Sequence, residues 1–137
     1  MKQRINKLTT ILNEHQIDAA IISEKNNIRY YSGFTSEDAI LLIHKSACYL
    51  ITDFRYIEQA QLQSPEFNIV DAPGPKTGPF IRKACMELGA KRICFDGDTI
   101  SYSTYISFKE ALLPLELIPD KGIPSGLRLL KTEEEIN

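Results

Sequence analysis

Apolar side chains along this chain alternate between a helical spacing and short continuous runs. Ile5, Leu8 and Leu12 recur at steps of three and four residues between polar positions, which predicts an amphipathic helix over residues 2–15. The run at 18–23 is apolar on both faces, as expected of a buried parallel strand. The same criteria predict a short helix or turn at 26–31, strands at 39–44, 48–52, 68–72, 92–96 and 115–119, and helices at 54–63, 80–88 and 101–112.

Turn residues separate these elements and set several of their ends. Residues 45–47 join two strands closely enough to predict a hairpin. Pro65 is expected to end the helix before it, because proline donates no backbone hydrogen bond and restricts its predecessor. Gly89 suits a left-handed C-terminal cap. Ser101 or Ser103 is expected to cap the helix that follows.

Strands that alternate with helices imply a central sheet covered on both faces. We therefore expect an α/β fold with three layers, α/β/α, and a mixed, mostly parallel sheet of about six strands. The hairpin is the antiparallel exception. This order of elements resembles the ribonuclease H-like motif.

The end of the chain, residues 127–137, follows a different pattern. Thr132 and Glu135 have the spacing of a helix-start capping box, and the acidic residues beside them favour the positive end of a helix dipole. A helix that begins there would have to continue beyond Asn137. We expect one domain over residues 1–125, followed by a junction over 126–137 that starts a further domain.

Charge and the length of the apolar runs narrow the range of partners. The formal net charge is −2, without the clustered Lys and Arg that nucleic acid or an anionic membrane surface requires. The longest apolar stretch, 39–43, is far shorter than the roughly 20 residues of a membrane span, and the N-terminus lacks a signal-peptide pattern. Cys48, Cys85 and Cys94 have no paired spacing, which is typical of reduced thiols. We expect a cytoplasmic protein with no nucleic-acid or membrane partner.

Few residues have the pattern of a catalytic site. His15 and His44 have no partner at metal-ligand spacing, and we interpret both as ordinary surface or half-buried residues. No serine-hydrolase, zinc-protease or phosphate-loop motif is present. Asp53, Asp96 and Asp98 lie at predicted strand ends, where a ribonuclease H-like nuclease places metal-binding carboxylates. The residues around Asp96 also make a good turn by themselves, and the sequence favours that interpretation.

Three segments carry a family resemblance. They are Ile17-Asp-Ala-Ala-Ile-Ile-Ser with Asn27-Ile-Arg-Tyr-Tyr-Ser-Gly-Phe34, then Leu50-Ile-Thr-Asp-Phe-Arg-Tyr56, and then Leu127-Arg-Leu-Leu-Lys131 with Glu134-Glu135-Ile136. In this order and spacing they resemble the creatinase/prolidase N-terminal domain, which precedes the catalytic domain of Xaa-Pro dipeptidases and aminopeptidases. Phe95-Asp-Gly-Asp98 and Tyr102 are similar to a further motif of the family, although Asp96 stands where Glu is commoner. The resemblance covers essentially the whole chain.

The resemblance implies that a later domain carries the chemistry. In relatives that domain holds two divalent metals, typically manganese or cobalt, which activate a water for attack on the peptide bond before proline. No catalytic residue and no metal ligand is then expected in this chain, and the chain alone is expected to lack peptidase activity. The expected partners are its own C-terminal catalytic domain, a second subunit in a homodimer, and proline-containing peptides as substrates of the whole protein.

The resemblance also points to a substrate-access loop that acts on the other subunit. In related dimers the N-terminal domain packs against its partner and hangs a loop over that partner's active site. By the match to Ser32-Gly33-Phe34, the loop here is Thr35-Ser36-Glu37-Asp38. Its acidic residues are expected to meet the free ammonium group of a dipeptide. A solvated polar loop without contact to substrate is the alternative, and the sequence leaves both open.

The remaining motif residues are expected to be structural. Asp53 is expected to cap the following helix, Arg55 to pair with a carboxylate, and Tyr56 to fill the interface between sheet and helix. Asn27 is expected to fix a turn through hydrogen bonds from its side chain to the backbone, and Gly33 closes that turn. Three aromatic residues are expected in the core: Tyr30, Tyr31 and Phe34.

Three alternative functions stay open from the sequence. A creatinase-like amidinohydrolase would carry the same N-terminal domain, since the residues that separate the activities lie mostly in the catalytic domain. A stand-alone interaction module of this fold would require the gene to end after Asn137. A ribonuclease H-like metal nuclease would bind magnesium at Asp53, Asp96 and Asp98.

Overall fold

The computed structural model describes residues 2–36, 38–96, 102–119, 123–124 and 126. The helices in these residues are α1 (Lys2–Glu14), α2 (Lys25–Ser32), α3 (Ile57–Gln63), α4 (Thr77–Leu88) and α5 (Tyr102–Leu112). The strands are β1 (Ala19–Ile22), β2 (Ala39–His44), β3 (Cys48–Thr52), β4 (Asn68–Asp71), β5 (Arg92–Phe95) and β6 (Glu116–Pro119). Two short 3-10 turns, Phe54–Tyr56 and Gly74–Lys76, lead into α3 and α4.

The strands form a single six-stranded sheet in the order β4-β3-β2-β1-β5-β6. β2 runs antiparallel to both of its neighbours, β1 and β3. The pairings of β1 with β5, β3 with β4 and β5 with β6 are parallel. Five strands therefore end at the same edge of the sheet, and β2 begins there.

Alternate residues of the strands face two separate cores, because successive side chains of a strand point to opposite faces. The core beneath α1, α2 and α3 contains Ala20, Ile22, Leu41, Ile43, Leu50 and Cys94 from the strands and Leu8, Leu12, Ile28, Tyr31 and Ala60 from the helices. The core beneath α4 and α5 contains Ala19, Ile21, Leu42, Ile51, Ile93 and Phe95 from the strands and Ile81, Ala84, Cys85 and Leu112 from the helices. Burial of each large aliphatic side chain stabilises the fold by about 1.5–3 kcal/mol.

This architecture confirms the predicted fold class. The sheet is mixed and mostly parallel, it has six strands, and helices cover both faces. The hairpin of β2 and β3 is present with the predicted bounds, 39–44 and 48–52. The antiparallel pairing of β1 with β2 is an addition to the prediction, and it arises because α2 returns the chain to the edge of the sheet where β1 ends.

Three helix starts differ from the sequence prediction. α2 is a short helix, one of the two predicted forms, and it begins at Lys25 rather than at residue 26, because the Glu24 carboxylate accepts hydrogen bonds from the N–H groups of Asn26 (3.1 Å) and Asn27 (3.0 Å) and so caps its first turn. α3 begins at Ile57 rather than at residue 54, since the first three predicted residues form a 3-10 turn. α4 begins at Thr77, three residues before the predicted start at residue 80. Pro79 falls in its first turn, where the missing N–H is harmless.

Several sequence predictions concern residues outside those that the structure describes. Ser101, one of the two predicted caps of α5, is among them, and Ser103 lies inside the helix rather than before it. The same holds for Glu37, for Asp98 and for the predicted helix start at Thr132.

Candidate functional site

The connection between α2 and β2 lies at the edge of the sheet where the other five strands end. Gly33 makes the turn out of α2 with a φ of 81°, a left-handed conformation that favours glycine, and its N–H donates to the Arg29 carbonyl at 2.8 Å. Phe34 then enters the core and is 1% exposed. Its N–H donates to the Ser32 hydroxyl at 3.1 Å. The start of the predicted access loop is therefore anchored on both sides of Gly33.

Helix α3 holds the next loop residue, Thr35. The Gln63 side-chain oxygen accepts hydrogen bonds from the Thr35 N–H at 3.1 Å and from its hydroxyl at 3.3 Å. The side-chain amide nitrogens of Gln59 and Gln63 lie 3.2 and 3.1 Å from the Thr35 hydroxyl and donate to it. Gln59 also donates to the Gln63 oxygen at 3.1 Å. We call Thr35, Gln59 and Gln63 the glutamine clamp.

Hydrogen bonds also tie the two ends of the loop region to the strands and helices around it. The Ser64 hydroxyl, just after α3, donates to the Ser32 carbonyl at 2.7 Å. At the other end, the Thr52 hydroxyl donates to the Asp38 carbonyl. The Asp38 N–H donates to the Ser36 hydroxyl at 3.2 Å. The described loop residues are thus held by α3 on one side and by β3 on the other.

Asp53 and Arg55 form an ion pair beside the loop. The Asp53 carboxylate caps the 3-10 turn by accepting from the Arg55 N–H at 2.9 Å, and it also accepts from the Arg55 guanidinium at 2.9 Å. These backbone and side-chain hydrogen bonds lower the pKa of Asp53. The hydrogen bond and charge of Asp53, with smaller additions from Tyr56 and Asp38, raise the pKa of Arg55. Tyr56 packs at the margin of the core beneath α3.

An open cleft of about 390 Å³ lies between the end of β1, the start of β2 and the ends of β3 and β4. The polar residues on its walls are Ser23, Asp38, Thr52, Asp53, Arg55 and Thr77. Two carboxylates against one guanidinium leave the rim with a net negative charge. Such a surface can attract an ammonium group. Among the described residues on its walls, none is a nucleophile activated by a neighbouring base.

Asp96 joins β5 to α2 in a contact that sequence reasoning missed. Its carboxylate accepts from the N–H of Ser23 (2.7 Å), the N–H of Glu24 (2.8 Å), the Ser23 hydroxyl (2.9 Å) and the Asn27 side-chain amide (3.2 Å). Burial raises the pKa of Asp96, and these hydrogen bonds oppose the rise. Asn27 therefore lies inside α2 and binds a distant carboxylate, where the sequence predicts a residue that fixes a local turn.

The aromatic residues of the motif pack inward. Tyr31 and Phe34 are buried, and Tyr30 is half-buried with its ring edge-on to Tyr31 at 4.9 Å. The Arg4 guanidinium stacks over the Tyr30 ring at 4.2 Å and donates to the Tyr30 carbonyl at 2.8 Å. The Tyr31 hydroxyl donates to the Pro124 carbonyl at 2.8 Å, which fastens the predicted end of the domain to α2.

The histidines differ from each other in burial. His15 is exposed, in agreement with its interpretation as a surface residue. His44 is only 6% exposed, so its interpretation as a surface or half-buried residue is wrong; it is the last residue of β2 and lies inside the hairpin. Its Nδ1 accepts from the Ser46 N–H at 3.0 Å. Burial, with the positive charge of Lys45, lowers the pKa of His44.

The described residues include three cysteines and several other side chains of types that can bind metals. Burial raises the pKa of the Cys85 thiol to about 12, so the reactive thiolate is scarce at neutral pH. Cys94 is also buried and Cys48 is half-buried, and all three are free thiols. Over residues 2–36, 38–96, 102–119, 123–124 and 126, no three His, Cys, Asp or Glu side chains lie where they could hold a metal ion.

A family model described as Creatinase/Prolidase N-terminal domain matches residues 4–130. The chain belongs to this family. Among curated relatives, an uncharacterized peptidase of Bacillus subtilis, YqhT, is 32% identical over 133 residues, which are 97% of this chain and 37% of the relative. A Xaa-Pro dipeptidase of Pyrococcus furiosus is 28% identical over 142 residues, which are 99% of this chain and 37% of the relative. The chain thus spans little more than a third of the length of these relatives.

Solved structures of the same family share the fold. A Xaa-Pro dipeptidase from Bacillus anthracis superposes with a TM-score of 0.85 at 35% identity, over 93% of this chain and 36% of that protein. The N-terminal domain of the cytoplasmic peptidase PepQ from Mycobacterium tuberculosis superposes with a TM-score of 0.82 at 27% identity, over 92% of this chain and 98% of that domain. This chain is therefore similar to one whole N-terminal domain and to about a third of a whole peptidase.

Within the part of the chain that the structure describes, no helix has both the length and the apolar character needed to cross a bilayer.

Proposed function

We propose that this chain is the N-terminal, non-catalytic domain of a cytoplasmic metal-dependent Xaa-Pro peptidase. The observation that carries the proposal is the family match over residues 4–130, joined to relatives named Xaa-Pro dipeptidase of which the chain spans 36–37%. Residues 1–125 form the domain in this proposal, and 126–137 form the junction to the next one. A C-terminal catalytic domain then hydrolyses the peptide bond before proline with two divalent metals, manganese or cobalt, as the family resemblance implies.

The domain contributes to catalysis by pairing two subunits and by covering the active site of the partner subunit. The loop after Phe34 is the covering element in this proposal. Its described residues Thr35, Ser36 and Asp38 stand on a base that is fixed to α3 and β3. A loop that is already ordered loses less conformational entropy when it closes over a peptide.

The charge around this loop suits peptides whose free N-terminus lies on the residue before proline. Asp38 and Asp53 outweigh Arg55 on the rim of the neighbouring cleft. In an Xaa-Pro substrate the free ammonium group lies on the residue whose carbonyl is attacked, whatever follows proline, whereas a peptide with further residues before Xaa carries the ammonium group farther away. A negative rim above the active site therefore favours substrates whose N-terminus lies close to the proline.

The experiment compares two proteins: the 137-residue chain, and the full-length protein expressed with its native downstream residues. Both are assayed with manganese on Ala-Pro and on a longer Xaa-Pro peptide. We expect the full-length protein alone to cleave, and its preference between the two peptides separates a dipeptidase from an aminopeptidase. Cleavage of creatine instead of either peptide would assign the domain to a creatinase-like amidinohydrolase. The absence of both activities would overturn the proposed peptidase function.

A further inference from the structure

The glutamine clamp is an unusual way to hold a loop. Loop backbone is normally satisfied by water or by its own turn, but the Thr35 N–H donates to a helix side chain, the Gln63 oxygen, at 3.1 Å. The Thr35 hydroxyl uses its full hydrogen-bonding capacity of one donor and two acceptor sites. It can donate to Gln63 while it accepts from Gln59 and Gln63. Two glutamines one helical turn apart thus converge on a single threonine.

The base of the clamp is rigid. Gln59 and Gln63 flank Ala60, which is fully buried in the core beneath α3. The next residue after Gln63, Ser64, is 2% exposed and donates to the Ser32 carbonyl. A side chain that extends from such a fixed helix end transmits the position of the helix to whatever it binds.

We propose that Gln63, supported by Gln59, is a positioning residue that sets the access loop for substrate by fixing Thr35. This proposal rests on the function proposed above, since the loop needs an active site to cover. Gln63 lies on the helix side of the loop and acts through Thr35. It is therefore not a catalytic residue.

The clamp has a direct physical consequence for substrate binding. With the clamp intact, Thr35 at the start of the loop is already held before the peptide arrives. Without it, part of the binding free energy must be spent on ordering the loop, which weakens binding of the peptide without changing the chemical step. The loss should be largest for short peptides, because they make the fewest other contacts.

Three variants of the full-length protein separate the clamp from general effects on α3. Gln63→Leu removes both hydrogen-bonding groups and shortens the side chain by one heavy atom. Gln63→Glu keeps an acceptor for the Thr35 N–H and hydroxyl. Gln61→Leu is the matched control, because Gln61 is exposed on the same helix and takes no part in these contacts.

The first measurement is amide hydrogen exchange of the peptide segment that contains Thr35. We expect exchange at Thr35 to accelerate by about fivefold or more in Gln63→Leu, the effect of losing a hydrogen bond of ordinary strength. Exchange in Gln63→Glu and Gln61→Leu should stay close to that of the parent protein. Equal exchange in all four proteins would overturn the clamp itself, whatever the protein turns out to hydrolyse.

The second measurement is steady-state kinetics on Ala-Pro and on a longer Xaa-Pro peptide. We expect Gln63→Leu to raise KM for the dipeptide about threefold to tenfold with kcat within about twofold, and Gln63→Glu to restore KM. Faster exchange at Thr35 with unchanged KM would overturn the positioning role and leave the peptidase assignment standing. If the parent protein cleaves no Xaa-Pro peptide, the proposed function and the positioning role are both overturned. The exchange measurement would still test whether Gln63 holds Thr35.

Discussion

At the scale of single residues, the Asp96 carboxylate makes polar contacts that join distant parts of the chain. It is 3% exposed and accepts four hydrogen bonds from Ser23, Glu24 and Asn27 at the end of β1 and the start of α2. A buried carboxylate is costly unless donors surround it, and here backbone and side-chain donors do so. Asp96 follows β5, and its contacts thereby connect the end of β5 to the end of β1 and to α2, the helix that leads into the access loop.

Replacing Asp96 should destabilise the domain. Asp96→Ala leaves the buried Asn27 amide and the partly buried donors of Ser23 and Glu24 without their acceptor, and we expect a loss of about 3 kcal/mol or more in the free energy of unfolding. Urea unfolding followed by circular dichroism measures it. Asp71→Ala, at an exposed position of the edge strand β4, is the control and should change little. A similar small change in both variants would show that the Asp96 contacts contribute nothing net.

Asp18 should make stability depend on pH. Burial raises the pKa of Asp18, but hydrogen bonds from the N–H groups of Arg92 (2.9 Å) and Lys91 (2.8 Å) outweigh it, and the resulting pKa lies below its ordinary value of 3.8. A carboxyl group with a lowered folded-state pKa stabilises the fold above its unfolded pKa. It loses that contribution as the pH falls through the folded pKa.

Asp18→Asn tests this dependence, because asparagine keeps an oxygen for the two N–H groups and does not titrate. We expect the parent chain to lose more stability than the variant between about pH 7 and about pH 3, by less than about 1 kcal/mol because the side chain is exposed. Urea midpoints at both pH values measure the difference. Parallel losses in the two proteins would mean that Asp18 carries no folded-state shift.

At the scale of elements, α4 and α5 pack unusually closely. A Cβ at Gly78 would lie 2.8 Å from the Cβ of Ala111, which is closer than two carbon atoms can approach without movement of a helix. Glycine at this position is therefore required by the neighbouring helix, since the backbone of α4 is regular there. The 3-10 turn before α4 lies beside the cleft near the access loop.

Gly78→Ala should destabilise the pair of helices. The gain in helix propensity, about 1 kcal/mol, is opposed by overpacking, and we expect a net loss of about 1–2 kcal/mol. Ala111→Gly makes room for the new methyl group, so the same substitution should cost less, or stabilise, in that background. A double-mutant cycle from urea unfolding gives the coupling. Equal effects of Gly78→Ala in both backgrounds would contradict the packing argument.

The elements also show what local pattern can and cannot predict. Short apolar runs placed β2 and β3 correctly, because each strand is decided by its own residues. The start of α4 was missed, because the Pro and Gly of residues 73–79 are typical of a loop when read locally. The Asn27 to Asp96 contact was missed for another reason: it joins residues 69 positions apart, and no local spacing reports such a pairing. The clamp escaped notice for the same reason.

At the scale of the whole molecule, the features that our proposal assigns to the active site lie together at one edge of the sheet. Five strands end at one edge of the sheet, and the access loop, the Asp53 to Arg55 pair and the cleft all lie at that edge. The β2–β3 hairpin turn lies at the other end of β2. One edge of the domain therefore carries the features that face a substrate in our proposal, and the other edge carries none of them.

The central claim is that this edge covers the active site of the partner subunit rather than its own. Two inactive full-length variants test it. One has residues 35–38 replaced by glycine, and the other lacks a metal ligand in its catalytic domain. A control with glycine at residues 45 and 46, in the hairpin turn, should keep its activity, which ties any loss in the first variant to the access loop.

The decisive quantity is peptidase activity on Ala-Pro. It is measured after the two inactive variants have been mixed and allowed to exchange subunits. If the loop acts in trans, a mixed dimer places an intact loop over an intact catalytic domain, and we expect activity to return to about a quarter of the parent level, since half of the dimers are mixed and each has one working site. If the loop acts on its own subunit, no dimer has a complete site. Activity that stays absent after exchange would contradict the account.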